Sequence, residues 1–283
     1  MRIGLSTPVV TQMPGVAGAW ERDAGIEDIA RIAEVADELG FDYLTCSEHV
    51  AVPADDAAVR GSVYWDPLAT LAFLAARTSR IRLATSVVVL GYHHPLAIAK
   101  RYGTLDRVSG GRLVLGVGVG SLSAEFDMLG ASWADRGARA DDAIRALRAS
   151  LSTPHPAYEG EYYRYESMMV EPCAMQPRVP IWVGGRSMRS LRRAVELADG
   201  WMPFGLRGAE MARMLAGVDV PPQFDVVLPA GPLDPSGDGD MTVRRLRKLA
   251  DLGATAVTCS LTAATPDDYC DQLGALRTVA DDM

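Results

Sequence analysis

The sequence predicts an α/β fold, a single (β/α)8 TIM barrel over residues 1–283 with insertions at its C-terminal mouth. Three observations predict it. Short β-rich apolar runs alternate with longer helical patterns from end to end. The alternation counts to eight of each, and strict alternation demands parallel strands joined by crossover helices. The stretches that break the rhythm are confined to three places, as barrels confine their insertions. An open doubly wound sheet is the rival, but it seldom needs eight regular units.

The elements follow in order. Ile3–Ser6 is a short apolar run, and Glu27–Leu39 carries Ile29, Ile32, Ala33, Ala36 and Leu39 at helical spacing, with Gly40 as its stop. Tyr43–Cys46 is the second strand and Pro67–Thr78 the second helix. Ile81–Val89, rich in Val, is the third strand, and Pro95–Val108 a helix opening on its Pro and ending before Ser109-Gly110-Gly111. Leu113–Val117 and Ala138–Leu151 form the fourth unit. Ile181–Gly184 with Leu191–Ala198, Gly200–Pro203 with Gly208–Ala216, Phe224–Leu228 with Thr242–Leu252, and Ala256–Leu261 with Pro266–Val279 complete the count.

Thr11–Gly25, Leu122–Gly137 and Ser152–Pro180 interrupt this rhythm. In the third, Tyr158, Tyr162, Tyr163 and Tyr165 around Glu159-Gly160 predict a small hairpin. Val218–Gly239 reads as two connections around the seventh strand. Loops that follow strands lie at the C-terminal face, where barrels build their sites.

Composition narrows the function classes. Lys plus Arg is 28 against 36 for Asp plus Glu, a formal charge of −8. That balance argues against nucleic-acid and anionic-membrane partners, which attract positive surfaces. No apolar run approaches the roughly 18 residues of a membrane span, and Met1–Val10 has no signal-peptide core, so a cytoplasmic setting is expected. Cys46, Cys173, Cys259 and Cys270 form no CxxC pair and no zinc-ligand spacing with a His. No metal site is expected.

Four places could carry chemistry. Glu48-His49 ends the second strand at the mouth, where a His can donate or accept a proton near neutral pH, or merely cap the strand. The adjacent Glu48 points elsewhere and is expected to accept from a ligand or a backbone amide. His93-His94-Pro95 follows the third strand; consecutive histidines point apart, so this pair reads as structural or pocket-lining. Gly116-Val117-Gly118-Val119-Gly120-Ser121 follows the fourth strand, where Gly118 and Gly120 would let backbone approach a flat ligand. Gly184-Gly185-Arg186-Ser187 precedes a helix that begins near Met188, and free amides with the helix dipole make such a start a phosphate site. Ser187 offers an N-cap hydroxyl. Arg186, Arg189, Arg192 and Arg193 form a basic cluster in an acidic chain, which fits a strongly anionic ligand or an ordinary solvated helix face.

These residues, in this order, resemble the luciferase-like monooxygenase superfamily, in its branch of coenzyme F420-dependent oxidoreductases. The resemblance rests on Gly40-Phe41-Asp42, Ser47-Glu48-His49, Asp66-Pro67, Thr78-Ser79-Arg80-Ile81-Arg82-Leu83 and Thr85-Ser86-Val87. It continues through Thr104-Leu105-Asp106, Ser109-Gly110-Gly111-Arg112, the glycine loop, Glu125-Phe126, Pro180-Ile181-Trp182-Val183-Gly184-Gly185 and Ala198-Asp199-Gly200-Trp201. It is dense over about residues 1–205 and only a pattern beyond.

The resemblance implies a tricyclic cofactor across the mouth, F420 or alternatively FMN. It implies a non-proline cis peptide at Ser86-Val87 bulging against the cofactor, His49 as proton donor with Glu48 at the cofactor, and a phosphate loop at Gly184, Gly185, Ser187 and Met188. The sugar-phosphate dehydrogenases of that branch carry a Glu where this chain has Ser121, and a hydroxyl residue in place of Val89. Reduction of an activated C=C or C=N bond is therefore expected over alcohol oxidation. Thr7–Gly25, Leu122–Asp135 and Pro154–Tyr165 are expected to shape a pocket for a small-molecule substrate less polar than a sugar phosphate. A reduced-FMN monooxygenase and a cofactor-binding protein without turnover are the alternatives. Relatives are often homodimers.

Overall fold

The computed structural model describes residues 1–283. Eight parallel strands close on themselves: β1 (Arg2–Ser6), β2 (Tyr43–Cys46), β3 (Arg82–Thr85), β4 (Leu113–Gly118), β5 (Ile181–Gly184), β6 (Gly200–Met202), β7 (Asp225–Leu233) and β8 (Ala256–Leu261). Closure is set at two seams, where Gly4 pairs with Thr258 and Trp182 pairs with Gly116. The crossovers are α1 (Ile26–Glu38), α2 (Pro67–Arg77), α3 (Pro95–Val108), α4 (Arg136–Ser150), α5 (Met188–Leu197), α6 (Gly208–Leu215), α7 (Gly239–Asp251) and α8 (Pro266–Asp281). The chain is thus a single (β/α)8 barrel. No helix is long and apolar enough to cross a membrane.

Local chemistry places the helix ends. Asp66 caps α2 by accepting from the Ala69 amide at 2.8 Å, and Thr265 caps α8 by accepting from Asp268 at 3.1 Å; a proline opens each helix. Gly40 ends α1 at φ +74°, a conformation that an L side chain resists.

Apolar residues alternate along the strands between two layers. Outward residues such as Leu44, Leu83 and Leu115 meet Ile32, Leu71, Ile98 and Ile144 of the helices. Inward residues Tyr43, Ala84, Val114, Trp182, Met202, Val227 and Ala256 fill the lumen. The Tyr43 and Trp182 rings meet edge-on at 5.2 Å. A filled lumen has no room for a ligand, so a site must lie above it, at the mouth.

Two strand expectations are corrected. The run Ile81–Val89 is not one strand: β3 stops at Thr85, the Ser86–Val87 bond is cis, and Val88–Val89 resumes alone against Val117 and Gly118. Strand β7 runs on to Leu233 through a bulge at Pro229–Gly231, because its pairing with β8 continues to Leu261 past the prolines.

The insertion at Ser152–Pro180 leaves from α4, and its hairpin pairs Tyr158 with Tyr165. Buried Asp142 of α4 holds it, accepting from the Tyr158 hydroxyl at 2.5 Å and the Tyr162 and Tyr163 amides at 2.8 and 3.0 Å. Its contacts are to the helix layer, with Tyr163 against His94, which follows the third strand at the start of α3. The insertion follows a helix and so starts from the opposite face of the barrel, but its hairpin reaches back to the strand end that carries His94.

Candidate active site

The mouth is organised by two carboxylate–histidine pairs that cross-link three loops. Glu48 and His49 leave β2 in opposite directions. Glu48 turns to the loop after β3, where one oxygen accepts from the Val89 amide at 2.6 Å and the other lies 2.7 Å from His93 Nε2. The backbone-amide acceptor role expected for Glu48 is therefore observed, and both oxygens are engaged within the protein.

His49 turns to Glu125, on the short helix Ser123–Met128 after β4. Its Nδ1 lies 2.6 Å from Glu125 Oε2, with the Glu125 side chain only 1% exposed. Glu125 also accepts from the Val50 and Ala51 amides, at 2.7 and 3.2 Å, and from the Tyr92 hydroxyl at 2.8 Å. The other contacts of Glu125 are all donors, so the same arrangement has His49 present Nδ1–H to it, with Nε2 left for a ligand. The Tyr64 ring packs edge-on to the imidazole at 4.5 Å. Burial, reinforced by the neighbouring Glu125, pushes the Tyr92 phenol well above its ordinary range, so it remains a donor.

Beside this network Val87 stands as a wedge at the top of the lumen. A Cβ at Gly118 would come within 2.6 Å of one Val87 methyl, and a Cβ at Gly184 within 2.8 Å of the other. The room that these two glycines leave on their Cβ side is thus taken by Val87. Gly120 has φ +81°, and any Cβ there would meet Phe126 and Val89. Ser86 is anchored from β2, its amide donating to the Cys46 carbonyl at 2.7 Å and its carbonyl accepting from Ser47 Oγ at 2.8 Å.

The fourth feature lies at the start of α5. Ser187 caps this helix, accepting from the Ser190 amide at 3.3 Å while Ser190 Oγ receives the Ser187 amide at 3.2 Å. Gly185 adopts φ +140°, and Arg186 and Ser187 are exposed. Amides that open a helix gather positive potential for an anion. The arginine cluster is smaller than expected: Arg193 is buried, ion-paired to Asp141 and donating to the Gly137 carbonyl at 3.0 Å. Arg186, Arg189 and Arg192 remain at the surface.

The structure thus gathers His49, Glu48, Ser86, Val87, Gly118 and Gly120 at loops of β2, β3 and β4, and places Gly184–Met188 on the next loop around. Glu125 and Tyr92 carry no role that the sequence pattern alone assigns, whereas His93, read from the sequence as structural or pocket-lining, is the partner of Glu48. The one local signal for Glu125 is its place between buried Leu122 and Phe126, on the inward face of a short helix.

Known proteins agree with this architecture. A family model described as luciferase-like monooxygenase matches residues 1–221. An uncharacterized protein of Mycobacterium tuberculosis is 30% identical over 277 residues, covering 89% of this chain and 94% of its own. The F420-dependent glucose-6-phosphate dehydrogenase of Nakamurella multipartita is 32% identical over 183 residues, 63% of this chain and 52% of its own. The solved EDTA monooxygenase of Chelativorans sp. BNC1 superimposes with a TM-score of 0.78 at 14% identity, covering 100% of this chain and 93% of that one.

Proposed function

The chain belongs to the luciferase-like monooxygenase family, and from that premise we propose that it is an F420-dependent oxidoreductase that reduces an activated C=C or C=N bond of a small organic substrate. The observation that carries the reading is the His49–Glu125 pair at 2.6 Å, which leaves one imidazole nitrogen for a proton transfer at the mouth. Similarity to an F420-dependent relative supports the choice of cofactor.

The residues present fit such a group. The amides from Gly185 to Met188, with Ser187 Oγ and Arg186, would hold its phosphate and acidic tail, and Val87 would support its ring from below. When bound, reduced F420 would supply the hydride. In its doubly protonated form His49 would give its Nε2 proton to the substrate atom that becomes electron-rich and keep the Nδ1–H, through which Glu125 fixes the ring plane. Tyr64, packed against His49, and Phe126, packed against Tyr92, flank the pair with apolar surface that keeps water from it. Reduced FMN with oxygen is the second reading, favoured by the family's description as monooxygenases, and its phosphate would use the same loop.

Titration of the purified protein with F420 and, separately, with FMN tests the reading. Tight F420 binding, followed by oxidation of reduced F420 on adding an enone or imine, is the expected result. Tight FMN binding with weak F420 binding replaces it with the monooxygenase reading.

A further inference from the structure

Arg60 ends the four-residue helix Ala57–Arg60 in the loop after β2. Its Nη1 donates to Ser121 Oγ at 3.2 Å, the first side chain after Gly120. Its carbonyl accepts from the Tyr64 hydroxyl at 2.7 Å, and Tyr64 packs against His49. Guanidinium, phenol and imidazole therefore follow one another along one side of the mouth. Asp56 stands one helical turn before Arg60, yet the contact of the guanidinium is with the neutral Ser121 hydroxyl and not with a carboxylate. The mouth carboxylates Glu48 and Glu125 are turned into His93, His49 and backbone amides. Within this group of side chains the charge left for a ligand is positive, carried by a planar fork that matches a carboxylate.

We propose that Arg60, assisted by Ser121 Oγ, binds a carboxylate on the organic substrate. The substrate is then an organic anion whose reactive bond lies close enough to its carboxylate to reach His49 from Arg60. The reactive bond rests on the function proposed above; the anion contact does not.

The test uses trans-cinnamate and its neutral isostere trans-cinnamamide as probes, titrated into the full chain by calorimetry with no cofactor added. Wild type is expected to bind the acid about 10-fold more tightly than the amide, the scale of one charge-assisted hydrogen-bonded contact. Arg60→Met erases that preference, Arg60→Lys keeps part of it, and Ser121→Ala reduces it by about threefold or less. Arg60 lies at the surface of a loop, and thermal melts of the variants confirm that the fold is kept. Equal binding of acid and amide by wild type, no binding of either, or a preference that survives Arg60→Met overturns the proposal. An acid preference without F420 binding leaves this contact standing and removes the reductase reading; F420 binding without an acid preference does the reverse.

Discussion

His49 Nδ1 and Glu125 Oε2 lie 2.6 Å apart although the residues are separated by 76 positions in the chain. One comes from the loop after β2 and the other from the loop after β4. The relationship orients a solitary histidine, because the buried carboxylate takes Nδ1 and leaves Nε2 as the ring nitrogen open to the mouth.

Glu125→Gln is expected to keep the shape of the site and lose that direction. Turnover should fall by about 100- to 1,000-fold with KM little changed, the scale of a misdirected acid–base group. The downfield Nδ1 proton of His49 in the NMR spectrum should vanish as well. Tyr92→Phe removes one of four donors to the same carboxylate and should cost less than about tenfold. A Glu125→Gln enzyme with unchanged turnover and pH profile would deny the positioning role.

Gly118→Ala and Gly184→Ala each place a methyl against Val87, at 2.6 and 2.8 Å before relaxation. Overpacking of this kind costs about 1–3 kcal/mol. Denaturant unfolding should show that loss for either variant, and much of it should return when Gly118→Ala is combined with Val87→Ala, since the two changes share one contact.

Acid stability has a named contributor on the opposite face. Burial opposes ionisation of Asp37, but hydrogen bonds from the Ser79, Ile81 and Arg80 amides and the Ser79 hydroxyl outweigh it, holding the carboxyl below the usual range. A group depressed in the folded state stabilises fully above its unfolded pKa, and loses that contribution as pH falls through the folded value. Asp37→Asn should therefore cost about 1–3 kcal/mol at neutral pH. The gap from wild type should narrow below about pH 4, as followed by urea unfolding at several pH values.

Thiol reactivity should divide the cysteines in two. Burial pushes the Cys46 and Cys259 thiols up to about 12. Cys173 and Cys270 are only partly buried. A disulfide reagent at pH 8 should label at most these two in the native protein, and all four after unfolding.

Arg186→Ala should weaken F420 more than FMN, because an exposed arginine beside the helix start meets the acidic tail that FMN lacks. The loss should be no more than about fivefold, the size of one exposed charge pair, and should shrink with added salt. Parallel titrations at two ionic strengths measure it.

How much of this was legible in the chain itself follows from distance along it. Strand and helix identity rest on neighbours, so period-2 and helical spacing, Pro67, Pro95 and Pro266 at helix starts and Gly40 at a helix stop carried most of the barrel. The capped helix start at Ser187 was readable for the same reason, since its amides and its cap lie within a few residues. The interruption of β3 was not readable from its valines, because Val88 and Val89 look as β-prone as Leu83 and only pairing with Val117 and Gly118 separates them. Nor could the sequence say that the space beside Gly118 and Gly184 belongs to Val87.

By itself, then, the sequence determined the barrel and the loops that face its mouth, because local periodicity and turn chemistry act over short stretches of chain. The tertiary structure alone decided the partners: His49 with Glu125, Glu48 with His93, Arg193 with Asp141 and Arg60 with Ser121. Three of these pairs join loops that follow different strands and the Arg193–Asp141 pair joins two neighbouring helices, so each depends on segments brought together by the tertiary fold, and no local pattern encodes which will stand opposite another.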